Sequence, residues 1–281
     1  LAAQWLAVED RDRVAEERSR LDAEAARMET LVAFDALFPI DIDAAVPTLC
    51  GLRLGRLPSS QPAPPETNAA CGLLLTAASI LRRRHEGKLR CPNVRSLVLA
   101  GEASQIEVVS GKSTGGKVEK VDFHIKTSFF SWRTFGPAWV AFATLCEALV
   151  RALRSKLEEK ASEAAADAVA TTEDRGAGSD AAATRETALK LLDEGKQLPR
   201  VDGDKVGGFS VRYGDAPDHT WTSGVREVLR MVKWCFRADA LVVFGLPPAV
   251  VPAKPLDAAH SQNDAAAPMA GERNQSAYGE Q

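Results

Sequence analysis

The chain has 281 residues, 45% hydrophobic and 26% charged, enough for one large globular domain or two small ones. A net charge of −3 excludes nucleic-acid binding driven by overall charge, so any basic surface is local. The five cysteines include no C-x-x-C pair and no zinc-site spacing, which points to a reducing, cytosolic compartment, and no apolar run reaches the roughly 18 residues of a transmembrane helix.

The opening LAAQWLAVEDRDR has no initiator methionine and lacks the order of a signal peptide, so it reads as the start of a fragment. Residues 1–31 are rich in Ala, Glu, Arg and Leu, without Gly or Pro, and predict a helix. One heptad register places Val14, Arg18, Leu21, Ala25, Met28 and Val32 on a seam, while Leu1, Trp5 and Val8 follow another frame. The pattern fits an imperfect coiled coil or an amphipathic surface helix. Phe34–Ile42 alternates as a short strand, and Leu49–Leu57 reads as a second strand with a glycine-marked bend. The loop SSQPAPPE follows, its prolines opposing regular structure. Thr67 or Asn68 is placed to cap a helix from about Ala69 to His85, with Arg82, Arg83, Arg84 and Lys88 near its C-terminal end, where the dipole favours cations.

Val94–Ala100, Gln105–Ser110 and Val118–Ile125 read as strands, and Trp139–Leu157 as a helix with an apolar stripe. From about 158 to 197 the composition falls to Ala, Glu, Asp, Thr and Gly, predicting a disordered or loosely helical insertion with a short helix at Glu186–Leu192. Phe209–Tyr213 reads as a strand and Thr220–Ala240 as a helix burying Val225, Leu229, Val232 and Phe236. Residues 245–281 are polar and rich in Ala and Pro, which predicts disorder. The order is strands then helix, three times over.

Catalytic chemistry finds little support. Gly111–Gly115 is a literal G-x-S-x-G, but a nucleophile serine needs a helix after it, and a strand follows here. GKS lacks the glycine five positions upstream that a phosphate loop needs, where Ile106 stands. His85, His124, His219 and His260 are scattered, so no catalytic residue, metal site or cofactor is expected. The basic run Arg82–Arg90 suits an anionic lipid or acidic partner, or simply a solvated helix end. Six aromatics fall between Ser128 and Phe142. Phe135, Trp139 and Phe142 have helix-core spacing. Phe129, Phe130 and Trp132 precede the helix, either as a loop tip suited to a membrane interface or as a cap on the sheet.

Cys50–Gly72 reads CGLRLGRLPSSQPAPPETNAACG and resembles the "FRLGRLPS … INAAWG" signature of the beclin family of autophagy proteins. Val32–Ile40 is similar to the family's "NVFNATFHI", Phe129–Phe142 to "FFWDNKFDHAMVAF" and Trp221–Trp234 to "WTKALKFMLTNLKW". The likeness covers about residues 1–244, apart from 158–197. It implies an α+β fold: the end of a coiled coil over 1–31, then a domain over 32–244 of three β-sheet–α-helix repeats, interrupted by the 158–197 insertion. It further implies a non-catalytic scaffold subunit of a class III phosphatidylinositol 3-kinase complex, acting in autophagy and in endosomal and vacuolar sorting. The implied partners are the kinase's catalytic subunit, its protein-kinase-like regulatory subunit, anionic membrane lipids, and a coiled-coil adaptor or a second copy. The pairing interface falls on Val14, Arg18, Leu21, Ala25 and Met28. The family's membrane-inserting aromatic finger falls on Phe129 and Phe130; its third place is Ser131, with Trp132 one residue later, and Lys126 and Arg133 flank it. The implied location is cytoplasmic, peripheral on endosomal and autophagosomal-precursor membranes; the alternative is an assembly scaffold that inserts nothing.

Overall fold

A computed structural model of the chain describes residues 11, 13–15, 18–19, 37–110, 117–126, 132–170, 177–214 and 217–245. Three small antiparallel sheets, each followed by a helix, repeat along it. The first sheet is β1 (Ile40–Asp41), β2 (Thr48–Leu49) and β3 (Leu52–Arg53). Where one strand over Leu49–Leu57 was expected, Cys50 and Gly51 make a two-residue turn with φ of 52° and 77°, folding β3 back so that Leu49 faces Leu52. Positive φ at both positions matches the twist of a tight hairpin.

Helix α1 runs Pro64–Arg84. The prolines that were expected to oppose structure open this helix, since first-turn N–H groups lack intrahelical partners and proline presets φ. Thr67 and Asn68 are therefore inside the helix and buried, and cap nothing. Arg53 clasps the first turn: its Nε and Nη2 donate to Glu66 at 2.8 and 2.7 Å, and its backbone N–H donates to the same carboxylate at 2.9 Å.

The second sheet is β4 (Val94–Val98), β5 (Gln105–Ser110) and β6 (Lys117–Asp122), in that spatial order. Helix α2 runs Trp132–Ala170. By length and composition its Arg133–Ala166 stretch could cross a bilayer, but 72% of the most apolar window is buried inside the protein, and it serves as core. Helix α3, Ala177–Lys196, packs against it. The 158–197 segment is thus more regular than its composition suggests. Leu157, Ala161 and Ala164 of α2 and Ala188 and Leu191 of α3 are buried. Trp234 Nε1 donates to the Leu191 carbonyl at 3.0 Å. Alanine-rich sequence carries high helix propensity, and these few apolar contacts suffice to dock it.

The third sheet is β7 (Val201–Asp202), β8 (Lys205–Val206) and β9 (Phe209–Ser210), turning at Gly203 and at Gly207–Gly208, all with positive φ. Helix α4 (Asp218–Phe244) ends at Gly245, which is left-handed. Its predicted core residues Val225, Leu229, Val232 and Phe236 are buried.

Helix α4 is fastened to the first repeat along its length. Arg56 N–H donates to Thr222 Oγ1 at 2.7 Å, in a close approach that a Cβ on Gly55 would obstruct at 2.8 Å from Thr222 Cγ2. The Arg226 guanidinium donates to the carbonyls of Ile42, Ala44 and Ala45 at 2.8–2.9 Å. Phe236 meets Phe38 at 6.1 Å. At the far end, fully buried Asp239 accepts from Arg84 Nη1 at 2.6 Å and lies 2.7 Å from Nε2 of buried His85.

Candidate functional site

The aromatic stretch divides into a buried part and a part that lies ahead of it. Phe135, Trp139 and Phe142 are fully buried, as their spacing predicts, and join Phe123, Tyr213 and Trp221 in one cluster. Phe123 lies 5.0 Å from Phe142 and 5.1 Å from Trp139; Tyr213 lies 5.1 Å from Phe135 and 5.0 Å from Trp221. The Phe123 pairs pack the end of the second sheet on α2, Phe135–Tyr213 joins α2 to the third repeat, and each pair adds about 0.5–1.5 kcal/mol beyond its buried area. Arg56 closes the outer side: it donates to the Tyr213 hydroxyl at 2.6 Å, with its guanidinium carbon 5.3 Å from the ring centroid.

Ahead of this core, Phe129 and Phe130 lie outside the described residues, and Trp132 contributes the first helical position of α2. What the structure defines is the base from which that loop departs. Asp122, at the end of β6 and only 5% exposed, receives Lys126 Nζ at 2.6 Å and Gln105 Nε2 at 2.8 Å. It also takes a hydrogen bond from Thr134, in the first turn of α2. One carboxylate thus holds the residue that enters the loop and a residue just past its exit. Burial alone would raise the Asp122 carboxyl, but hydrogen bonds from Lys126, Gln105 and Thr134 outweigh it and hold the group below the usual aspartate range. Asn68 adds a second anchor: its Nδ2 donates to the Ile125 carbonyl at 3.0 Å, and its Oδ1 accepts from Ile125 N–H at 2.7 Å. Lys126 therefore directs its charge into the stem, whereas Arg133 is exposed on the first turn of α2.

Asn68 enters the sequence analysis only as a candidate helix cap, and neither its pairing with Ile125 nor the joining of Asp122 to Gln105 and Thr134 is visible in local pattern. The only available signal was Asn68 within the NAACG signature, which also explains Gly72: a Cβ there would stand 2.4 Å from the Gly101 carbonyl oxygen. Of the seam residues, Val14 is helical and 62% exposed, and Arg18 is helical and exposed. Leu21, Ala25 and Met28 lie outside the described residues.

Much of the basic run acts structurally. Arg84 and His85 bind Asp239, and Lys88 reaches Glu159 at 2.5 Å. Residues 111–116, which include Ser113, lie outside the described residues; they connect two strands of one hairpin, paired from Ser110↔Lys117, a setting unlike the strand-to-helix turn of a serine nucleophile. Among the described residues, no group of three or more His, Cys, Asp or Glu could hold a metal ion.

Residues 28–239 match the family model described as the Apg6 BARA domain. A search of curated proteins finds no match to the chain.

Proposed function

The chain belongs to the Apg6 BARA-domain family of beclin-like, non-catalytic autophagy scaffolds, and from that premise we propose that it is a subunit of a class III phosphatidylinositol 3-kinase complex that seats the kinase on membranes. In this reading the domain joins the kinase's catalytic subunit and its protein-kinase-like regulatory subunit. The helix over 1–31 pairs with an adaptor or a second copy through Val14, Arg18, Leu21, Ala25 and Met28. The complex works from the cytoplasmic face of endosomal and autophagosomal-precursor membranes, in autophagy and sorting. Phe129, Phe130 and Trp132 enter the bilayer interface, with Lys126 and Arg133 beside the headgroups.

The doubly tied stem carries the membrane part of this reading. Two phenylalanines and a tryptophan gain about 1.5–3 kcal/mol each when fully buried. A loop whose ends are already held loses less conformational freedom on insertion, so more of that gain remains as affinity. One observation favours the second reading, an assembly scaffold without insertion: the Asp122–Lys126 pair leaves fewer uncompensated cations beside the loop.

Co-sedimentation with anionic liposomes separates the two. The Phe129/Phe130/Trp132→Asp variant, shown folded by circular dichroism, is expected to lose binding that in the parent chain persists at high salt. Equal binding by both proteins supports the scaffold reading, and binding abolished by salt assigns the contact to surface charge instead.

A further inference from the structure

A cleft of about 210 Å³ lies between the C-terminal turn of α1 and the edge strand β4. Ser79, Arg82, Arg83, Glu86, Arg95 and Ser96 supply its polar lining. Arg82 is held in place there: its Nη2 donates to the Arg95 carbonyl at 2.7 Å and to the Val94 carbonyl at 3.3 Å. Its Nη1 is buried and has no hydrogen-bond partner. Arg82, Arg83 and Arg95 have no ion-pair partner among the described residues. The neighbouring Glu107 is engaged by Ser96 Oγ at 2.6 Å and Lys120 at 3.7 Å, and its charge also attracts Arg95. Three guanidinium groups against the one lining carboxylate, Glu86, leave a surplus of two positive charges.

Three guanidinium groups, the Ser79 hydroxyl and a buried donor without an acceptor form a set that an oxyanion with several acceptor oxygens completes. We infer that this cleft is a phosphomonoester site, taking a phosphorylated lipid headgroup or its soluble counterpart. A phosphopeptide fits less well. A peptide recognised at a sheet edge adds as a strand through the edge carbonyls, and Arg82 already occupies those of Val94 and Arg95. The inference stands on the cleft itself. Arg82 lies about 21 Å along α1 from Asn68, which anchors the aromatic loop, taking a 1.5 Å rise per residue.

Isothermal titration of the full chain with inorganic phosphate, and with a short-chain, water-soluble phosphatidylinositol 3-phosphate, tests the site. Arg83→Ala and Arg95→Ala are each expected to weaken binding about tenfold, the scale of one charge-assisted contact. Glu86→Gln is expected to tighten it severalfold. Arg90→Ala, an exposed residue outside the cleft, is expected to leave it unchanged. A second arm floats the chain on phosphatidylcholine vesicles with and without phosphatidylinositol 3-phosphate, using the Phe129/Phe130/Trp132→Asp variant as well. Phosphoinositide-dependent flotation that survives in that variant and is lost in Arg83→Ala assigns a lipid source and is independent of loop insertion. Titration without flotation assigns a soluble ligand. Absence of binding to either phosphate probe, equal weakening by Arg90→Ala, or capture of a phosphoserine peptide alone overturns the inference.

Discussion

Asp239→Ala tests how the first and last repeats are joined. The carboxylate has no exposed surface and serves two cationic or polar partners, Arg84 at 2.6 Å and His85 at 2.7 Å. Because Asp239 accepts, His85 Nε2 carries the proton. Truncation leaves that N–H buried without an acceptor, alongside an Arg84 side chain that is 29% exposed. Removing one partner of a buried pair costs about 3–5 kcal/mol. Water reaches part of Arg84, which places the expected loss at the lower end, about 3 kcal/mol. At about 2–4 °C per kcal/mol for a domain of this size, the Tm falls by about 6–12 °C. Thermal unfolding followed by far-UV circular dichroism reads it. The control is Asp239→Leu combined with His85→Leu, which replaces two mutually dependent polar groups by apolar ones and is expected to recover much of the loss. A loss for Asp239→Ala no larger than an exposed ion pair gives, about 1 kcal/mol, refutes the reasoning. So does a double variant no more stable than Asp239→Ala.

Gly72→Ala is expected to cost about 1–3 kcal/mol in urea unfolding, because the new Cβ meets backbone atoms of Gly101, at 2.4 Å from the oxygen and 2.9 Å from the carbon; an unchanged midpoint removes close packing as the reason for this glycine. Hydrogen bonding from Arg53 holds the Glu66 carboxyl below its ordinary value of 4.5, against the opposing effect of burial. A depressed folded pKa gives stability that is present above the unfolded value and lost as pH falls through the folded one. Glu66→Gln is therefore expected to be less stable than the parent at neutral pH, with the gap closing below about pH 4.5; parallel acid-unfolding curves contradict this. Burial raises the thiol pKa of all five cysteines, but only Cys50 and Cys91 are partly exposed. Native-state labelling with iodoacetamide, read by mass spectrometry, is expected at Cys50 and Cys91 alone, and modification of Cys235 before unfolding argues against the α4 packing.

Local pattern was enough for the three-repeat order and for the helix cores. Leu74, Leu81, Trp139, Leu149, Leu229 and Phe236 recur at helical spacing and are buried. Failures arose where one local rule displaced another. Proline opposed helix in the sequence reading, yet at Pro64 and Pro65 the first turn needs no N–H donors. The Cys50–Gly51 turn was hidden inside one apolar alternation because a two-residue hairpin preserves the pattern on both sides. The composition of 158–197 gave no hint that a handful of alanines and leucines would dock. The anchors of the candidate site were the least legible, since Asn68 meets Ile125 only once the first two repeats have packed and Asp122 meets Thr134 only once α2 closes on its own sheet.

The ties between α4 and the first repeat also set a timetable. Arg56 waits for Thr222, Ile42 for Arg226, and His85 for Asp239, at sequence separations of 166, 184 and 154 residues. During synthesis the first repeat leaves the ribosome long before the helix that completes it, and its apolar face stays open in the interim. Contacts of such long range slow folding and extend the time in which a nascent chain is open to aggregation. A message cut short just before α4 thus yields a chain carrying two of the three repeats with its earliest core uncovered, a substrate for chaperones and proteases rather than a partially working scaffold.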